Sequence, residues 1–324
     1  MNIPAWGWAA VIIGLLIVIA FDLWIVDRGE AKEFSFRQAG FWVGFYVALA
    51  VLFGIGLLIF AGPTESGEFF AGYLTEYSLS VDNLFIFFII MSRFAVPREY
   101  QHKVLLIGIL IALVMRGIFI AIGAAALNQF HWLFYVFGVF LIYTAYTLIR
   151  DHGKHEDDFA ENILLRSARR WFRTTPDFVG SKTIVKIDGK RMVTPMLIVM
   201  IAIGTTDLLF ALDSIPAIFG LTQDAFIVFT ANAFALMGLR QLYFLLGGLL
   251  QRLVYISYGL SFILAFIGVK LVLEAMHDTV SWAPEIPISV SLGVIIVTMV
   301  VTTLLSLMKS RRDAIAAPAE AEQH

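Results

Sequence analysis

Two apolar stretches of membrane-spanning length each contain a pair of carboxylates six residues apart, followed directly by a polar residue. The first reads EYSLSVDN and the second DLLFALDS. The six polar side chains are Glu76, Asp82, Asn83, Asp207, Asp213 and Ser214. Carboxylate, amide and hydroxyl oxygens are hard donors that suit Mg²⁺, Ca²⁺ or Mn²⁺. We therefore treat these six residues as candidate ligands of a divalent cation.

The composition is that of an integral membrane protein. Of the 324 residues, 60% are hydrophobic and 15% are charged, whereas a soluble domain carries about 25% charged residues. The mean hydropathy is +0.85. The absence of cysteine excludes a disulfide framework, a thiolate metal site and a cysteine nucleophile. The net charge of −2 favours no nucleic-acid partner.

Apolar runs predict an all-α protein with about nine transmembrane helices, each near the roughly 20 residues that cross the hydrocarbon core. The uncharged apolar N-terminus is interpreted as a retained first span. The predicted spans are 6–26, 38–60, 69–92, 104–127, 131–149, 194–220, 224–248, 252–274 and 287–308.

Lysine and arginine alternate between the two sides of these spans. Ten of them lie in the segment 150–193, whereas the connections 61–68, 128–130, 221–223 and 275–286 have none. Positively charged loops stay in the cytoplasm. The pattern predicts an inner (plasma) membrane protein with its N-terminus outside and its C-terminus in the cytoplasm.

The segment 150–193 divides the chain into transmembrane parts 1–149 and 194–308. We predict that this cytoplasmic segment contains a basic amphipathic helix, AENILLRSARRWFR, lying on the anionic leaflet. TIVKIDGKRMVT predicts a hairpin around Asp188 and Gly189. The polar tail 309–324 is predicted to be a disordered cytoplasmic segment.

Four further ionisable residues lie within the predicted spans: Asp22, Arg116, Arg240 and Lys270. Each charge at mid-membrane costs about 2.5–3.5 kcal/mol, so we interpret the three bases as charge partners of the acids. Asp22 either pairs with a nearby base or lines the exit path. Five acids and three bases leave −2, which a divalent cation would neutralise. The alternative is purely structural, with acid–arginine pairs joining the helices. For the two arginines, simple pairing is favoured over repelling the cation or exchanging ion pairs between states.

The acidic pairs indicate an internal repeat. Arg116 follows the first pair in the next span, and Arg240 follows the second pair in the same way. Spans 3–5 and 6–8 therefore resemble two copies of one unit, and the loop charges give the copies opposite orientations. Inverted repeats with a polar site at their junction are typical of secondary transporters.

Helix geometry constrains this site. Six residues correspond to 600°, which leaves the two acids of each pair about 120° apart on an ideal helix. Pro216, together with Gly204 and the threonines after it, predicts a local break in span 6 that would expose carbonyl ligands. When the cation leaves, protons could replace it, because crowded buried acids hold protons readily. This predicts proton antiport.

Three motifs resemble the TerC/Alx family of membrane proteins: EYSLSVDNLFIF, TTDLLFALDSIPAIFG and NAFALMGLRQLYFLL. The similarity covers about residues 71–274. The resemblance implies an inner-membrane protein with inverted repeats, related to LysE-type exporters and to tellurium resistance. It also implies Mn²⁺ export for metal-ion homeostasis, with the six polar residues as the ion site.

Other functions remain open at this stage. Two intramembrane aspartates could form a protease dyad, but the sequence shows GTTD rather than Gly-x-Gly-Asp, and we expect no enzyme activity. An envelope assembly or stress-resistance partner is a second alternative, and Ca²⁺ or Mg²⁺ transport is a third. We expect no cofactor apart from the transported cation. The expected partners are the bilayer and the cation, with a homo-oligomer or other membrane proteins left open.

The orientation can be tested by thiol labelling, because the parent chain contains no cysteine. We expect an impermeant maleimide to label Thr64→Cys in intact cells and Ser310→Cys only after lysis. The cysteine-free parent is the control. Labelling of Ser310→Cys in intact cells would contradict the predicted orientation.

Overall fold

A computed structural model describes residues 4–28, 36–150, 174–175, 177–187, 190–246, 255–277, 284 and 286–321. Within these ranges the chain forms ten α-helices and two β-strands. In chain order they are α1 Ala5–Arg28, α2 Phe36–Phe60, α3 Pro63–Arg93, α4 Arg98–Gln129, α5 Leu133–Arg150, β1 Ile184–Ile187, β2 Lys190–Val193, α6 Pro195–Phe219, α7 Ala225–Met237, α8 Leu239–Leu246, α9 Ile256–His277 and α10 Ile288–Ala321.

The all-α, multi-spanning architecture is confirmed. Eight segments of the described chain are long and apolar enough to cross a membrane, and α1 contributes a shorter apolar stretch, Ala5–Phe21. Together they coincide with the nine predicted spans, with α7 and α8 forming the seventh. The seventh span is central. Of its most apolar 18-residue stretch, 89% is buried, whereas 11% of the corresponding stretch is buried in the last span.

Local sequence sets where the central helices begin. Pro63 and Pro195 open α3 and α6, where a missing backbone N–H costs nothing. Asp224 caps α7, because its carboxylate accepts hydrogen bonds from the backbone N–H groups of Phe226 and Ile227.

Helix packing follows the two-fold pattern that the inverted repeat requires. Exchanging spans 3, 4 and 5 with 6, 7 and 8 maps the α3–α7 contact onto the α6–α4 contact, and both pairs pack closely. The same exchange maps the α5–α9 contact onto itself, and this is the most extensive helix contact in the described chain. The packing therefore supports two related units.

The α5–α9 contact is reciprocal at the atomic level. A Cβ added at Gly138 would lie 2.8 Å from the carbonyl oxygen of Gly268, and one at Gly268 would lie 2.8 Å from that of Gly138. One turn further along each helix, Cγ2 of Val272 would lie 2.7 Å from the Cβ added at Gly138. Cγ1 of Ile142 would lie 2.9 Å from the Cβ added at Gly268. Glycine is required here because the two backbones touch.

The predicted break in span 6 is wrong, because α6 is continuous through Gly204 and Pro216. Gly204 accommodates Ile111, whose Cγ2 would lie 3.1 Å from an added Cβ. The Thr205 hydroxyl donates to the Ile201 carbonyl of its own helix at 2.8 Å. Pro216 lies in the last turn, where its missing N–H removes only one helical hydrogen bond.

The seventh span contains the discontinuity instead. α7 ends at Met237, and α8 begins at Leu239. Gly238 lies between them, and an added Cβ there would lie 3.4 Å from Cβ of Tyr46. The seventh span is therefore interrupted at Gly238, where α2 packs against it.

Two of the predictions outside the membrane can be compared with the structure. β1 and β2 pair antiparallel, with Ile184 opposite Val193 and Ile187 opposite Lys190. The structure differs from the disorder predicted for 309–324, because α10 continues to Ala321. Alanine, glutamate and arginine in this segment are good helix formers. The Asp188-Gly189 turn and the predicted amphipathic helix lie outside the described residues.

The glycine contact can be tested by substitution. We expect Gly138→Ala and Gly268→Ala each to lower the free energy of unfolding in detergent by about 1–3 kcal/mol, because the added methyl overpacks the contact. Gly293→Ala is the matched control, since nothing lies within 4 Å of its Cβ position. Equal stability of all three variants would contradict the close α5–α9 contact.

Candidate ion site

A buried guanidinium on α4 joins acidic side chains from both repeats. Nε of Arg116 donates to Oδ2 of Asp207 at 3.0 Å, and Nη2 donates to Oδ1 at 3.2 Å. Nη1 forms an ion pair with Glu76 of α3 and donates to Oγ of Ser214 at 3.4 Å. A forked pair of this kind fixes both the distance and the orientation of the carboxylate. Three helices therefore meet at one charge.

This cluster is isolated from the surroundings of the protein. Arg116 and Ser214 are 1% exposed, Glu76 is fully buried and Asp207 is 2% exposed. The second carboxylate oxygen of Glu76, Oε2, has no hydrogen-bond partner among the described residues. The cluster therefore contains an acceptor with spare capacity.

The geometry of α3 and α6 explains why these residues meet. Gly72 lies against Ile218, whose Cγ2 is 3.4 Å from the glycine's Cβ position. One turn later on α3 and one turn earlier on α6, Glu76 and Ser214 both reach Arg116. The two helices are therefore antiparallel, as opposite repeats require. Asp207 and Ser214 are seven residues apart and so share one face of α6.

The second acid of each pair points to a different neighbour. Asp82 on α3 is half-buried and accepts a hydrogen bond from the Ser257 hydroxyl of α9 at 3.2 Å. Asp213 on α6 is half-buried and accepts one from the Thr144 hydroxyl of α5 at 3.5 Å. Each aspartate thus contacts a hydroxyl on the third helix of the opposite unit. Because α3 and α6 are continuous, the 120° divergence within each pair is retained.

The structure therefore divides the six predicted ligands rather than gathering them. Glu76, Asp207 and Ser214 surround Arg116, whereas Asp82 on α3 and Asp213 on α6 contact hydroxyls of α9 and α5 instead. Within the described ranges, no group of three or more acidic or histidine side chains is close enough to hold a metal ion. Asn83 is buried beside Asp82 at 7% exposure.

The remaining charge partners lie away from Arg116. Arg240 on α8 is buried and close enough to His102 of α4 for electrostatic interaction. Lys270 on α9 is buried and acts on Glu68 near the start of α3. Asp22 belongs to α1, and its side chain lies outside the described part of the chain.

Sequence reasoning did not identify the two hydroxyl partners, Ser257 and Thr144. Serine and threonine are common in membrane helices, so neither stands out by type. The available signal was the angle of about 120° between the two acids of each pair on an ideal helix. That angle predicts that the second acid points away from the first. The division of the site follows from that angle once the helices are known to be unbroken.

Comparison with known proteins defines the family. Residues 61–314, most of the chain, match the model of the "Integral membrane protein TerC family". The chain therefore belongs to the TerC family, a family of multi-pass integral membrane proteins, as its motifs predicted. No solved structure matches the chain.

Several relatives are similar to this chain over nearly all of its length. An uncharacterized membrane protein of Mycobacterium tuberculosis is 46% identical, covering 96% of this chain and 82% of its own. One from Myxococcus xanthus is 43% identical, covering 94% and 92%. A candidate membrane-bound redox modulator of Escherichia coli K12, Alx, is 37% identical over 93% of both chains.

The ion pairs at Arg116 predict a specific stability loss. We expect Arg116→Ala to lower the free energy of unfolding by about 3–5 kcal/mol, because Glu76 and Asp207 then remain buried without the guanidinium. Arg116→Lys should lose less, since it keeps the charge but not the fork. Chemical denaturation in detergent measures both, with the exposed Arg312→Ala as control. Equal stability of Arg116→Ala and Arg312→Ala would refute this role for Arg116.

Proposed function

We propose that the chain exports a divalent cation, foremost Mn²⁺, from the cytoplasm through the site between its two repeats. One observation carries this proposal. Buried carboxylates from two antiparallel helices, one in each repeat, converge on a single guanidinium. Transport sites of inverted-repeat proteins lie at such a junction.

Arg116 occupies the oxygens that a cation would need. A guanidinium and a divalent cation are both attracted to paired carboxylates, so one can replace the other at Glu76 and Asp207. In this mechanism Arg116 is a tethered counter-ion of the two carboxylates. Arrival of the cation displaces the guanidinium, and return of the guanidinium promotes release.

Asp82 and Asp213 extend the polar path in opposite directions. With the predicted orientation, α3 runs inward and α6 runs outward. Asp82 is then on the cytoplasmic side of Glu76, and Asp213 is on the outer side of Asp207. Because Glu76 and Ser214 both reach Arg116 from antiparallel helices, Asp213 lies near the depth of Glu76, and an ion from the cytoplasm would pass Asp82 on its way to these two acids. Protons that replace the ion on these carboxylates would give proton antiport.

The ligand chemistry limits the ion. All the candidate donors are oxygens, which suit Mn²⁺, Mg²⁺ or Ca²⁺. Family resemblance favours Mn²⁺ among them and links the chain to metal-ion homeostasis and tellurium resistance. The catalytic alternative is not favoured, because Asp207 is engaged by Arg116 rather than by a second aspartate.

The name of the Escherichia coli relative, a membrane-bound redox modulator, suggests redox modulation as a second function. This chain contains no cysteine and so has no thiol of its own to exchange. A redox effect would therefore be indirect, through the supply of a redox-active metal such as Mn²⁺. Such an effect would follow from transport rather than compete with it.

Flux in reconstituted liposomes tests the proposal. We expect the parent to move Mn²⁺ faster than Ca²⁺, Mg²⁺ or Zn²⁺, and to slow when the proton gradient is dissipated. Asp82→Asn and Asp213→Asn should each lower Mn²⁺ flux about tenfold or more, on the scale of losses at metal sites. Asp177→Asn, at an exposed position outside the spans, is the control.

Two results would contradict the proposal. A parent that moves none of the four ions above the rate of empty liposomes would contradict transport and favour the assembly or stress-resistance alternative. Parental Mn²⁺ flux in both aspartate variants would leave transport intact but contradict the role of Asp82 and Asp213 in it.

A further inference from the structure

A buried amide on α7 has no hydrogen-bond partner among the described residues. Asn232 is 1% exposed, and neither its Nδ2 nor its Oδ1 makes a hydrogen bond there. An unpaired amide in an apolar environment destabilises the folded protein, because its hydrogen bonds to water are lost and not replaced. An interhelical hydrogen bond, the ordinary reason for asparagine in a membrane helix, is therefore not formed by this side chain within the described structure.

The face of α7 that contains Asn232 passes from one hydrophobic cluster to another. The first, which we call the outer cluster, contains Val228, one turn before Asn232, together with Ala71 of α3 and Ile215 of α6. That cluster also contains Ile120 of α4. Positions four residues apart lie on the same face of a helix, so Asn232 faces the same helices as Val228 does.

The second cluster, which we call the inner cluster, contains Leu236, one turn after Asn232. Its other members include Val81 of α3, Leu105 of α4 and Ile203 of α6. Asn232 therefore lies in the layer between the two clusters, on the side of α7 that faces α3, α4 and α6.

The charged residues of the candidate site occupy the same layer. Glu76 falls between Ala71 and Val81 along α3, and Asp207 falls between Ile203 and Ile215 along α6. Arg116 falls between Leu105 and Ile120 along α4. Three helices thus place a polar residue between the same two apolar clusters, and Asn232 is the contribution of α7.

We propose that Asn232 is a neutral ligand of the transported cation and completes a set with Glu76, Asp207 and Ser214. This inference rests on the proposed function. An amide carbonyl is a hard oxygen donor that Mn²⁺, Mg²⁺ and Ca²⁺ accept. It adds a ligand without adding charge, so it supports selective binding while still permitting release. Among the described residues, its Oδ1 is an acceptor that no protein group uses.

Asn232→Leu separates a ligand from a structural residue. Leucine has nearly the same volume and removes both unpaired polar atoms, so the folded protein should be at least as stable as the parent. If Oδ1 binds the ion, KM for Mn²⁺ flux should rise about tenfold or more. The Mn²⁺-induced rise in melting temperature should be lost in parallel. Asn232→Ala serves in its place if leucine prevents folding.

Asn232→Asp supplies the opposite perturbation. A carboxylate retains the oxygen and adds charge, so KM should fall while slower release lowers kcat. Thr230→Val is the matched control on the same helix, because the buried Thr230 hydroxyl donates to the Phe226 carbonyl at 2.8 Å. It should keep the parental KM.

The outcomes distinguish the two proposals. Parental flux with a parental KM and melting shift in Asn232→Leu would overturn the role of Asn232 and leave transport intact. A parent that shows neither Mn²⁺ flux nor a Mn²⁺-induced melting shift would overturn both.

Discussion

The structure depends on one buried guanidinium shared by carboxylates from two repeats. Arg116 binds Asp207 through a fork and also contacts Glu76 and Ser214. Charges at this depth are tolerated only when they are paired. The requirement to pair them holds α3, α4 and α6 together, and it places the acids of opposite units side by side. Structural stability and the proposed ion chemistry thus use the same residues.

The repeat supplies the frame around this pair. At the α5–α9 contact, Gly138 and Gly268 bring the third helices of the two units into backbone contact. Those same two helices provide the hydroxyls that hold Asp213 and Asp82. A change in the angle between the two units would therefore change the surroundings of Asp82 and Asp213 at the same time.

Much of this fold could be predicted from residue types and spacing. Apolar runs located the nine spans, and the spacing of Glu76 and Asp82, repeated at Asp207 and Asp213, revealed the two units. Which acid meets which partner could not be predicted, because that depends on whether the helices are broken. Pro216 suggested a break in span 6, but its place in the last turn makes it tolerable. The actual discontinuity lies at Gly238 in the seventh span, where α2 packs against it through Tyr46, and no local pattern pointed to it.

Diffraction from the full-length protein crystallised with Mn²⁺, recorded at the manganese absorption edge, tests the central claim most directly. Exchange of guanidinium for metal predicts one anomalous peak between Glu76 and Asp207, with Arg116 moved away from both carboxylates. An ion bound elsewhere while Arg116 still holds these two acids would contradict it, and the cluster would then be structural alone.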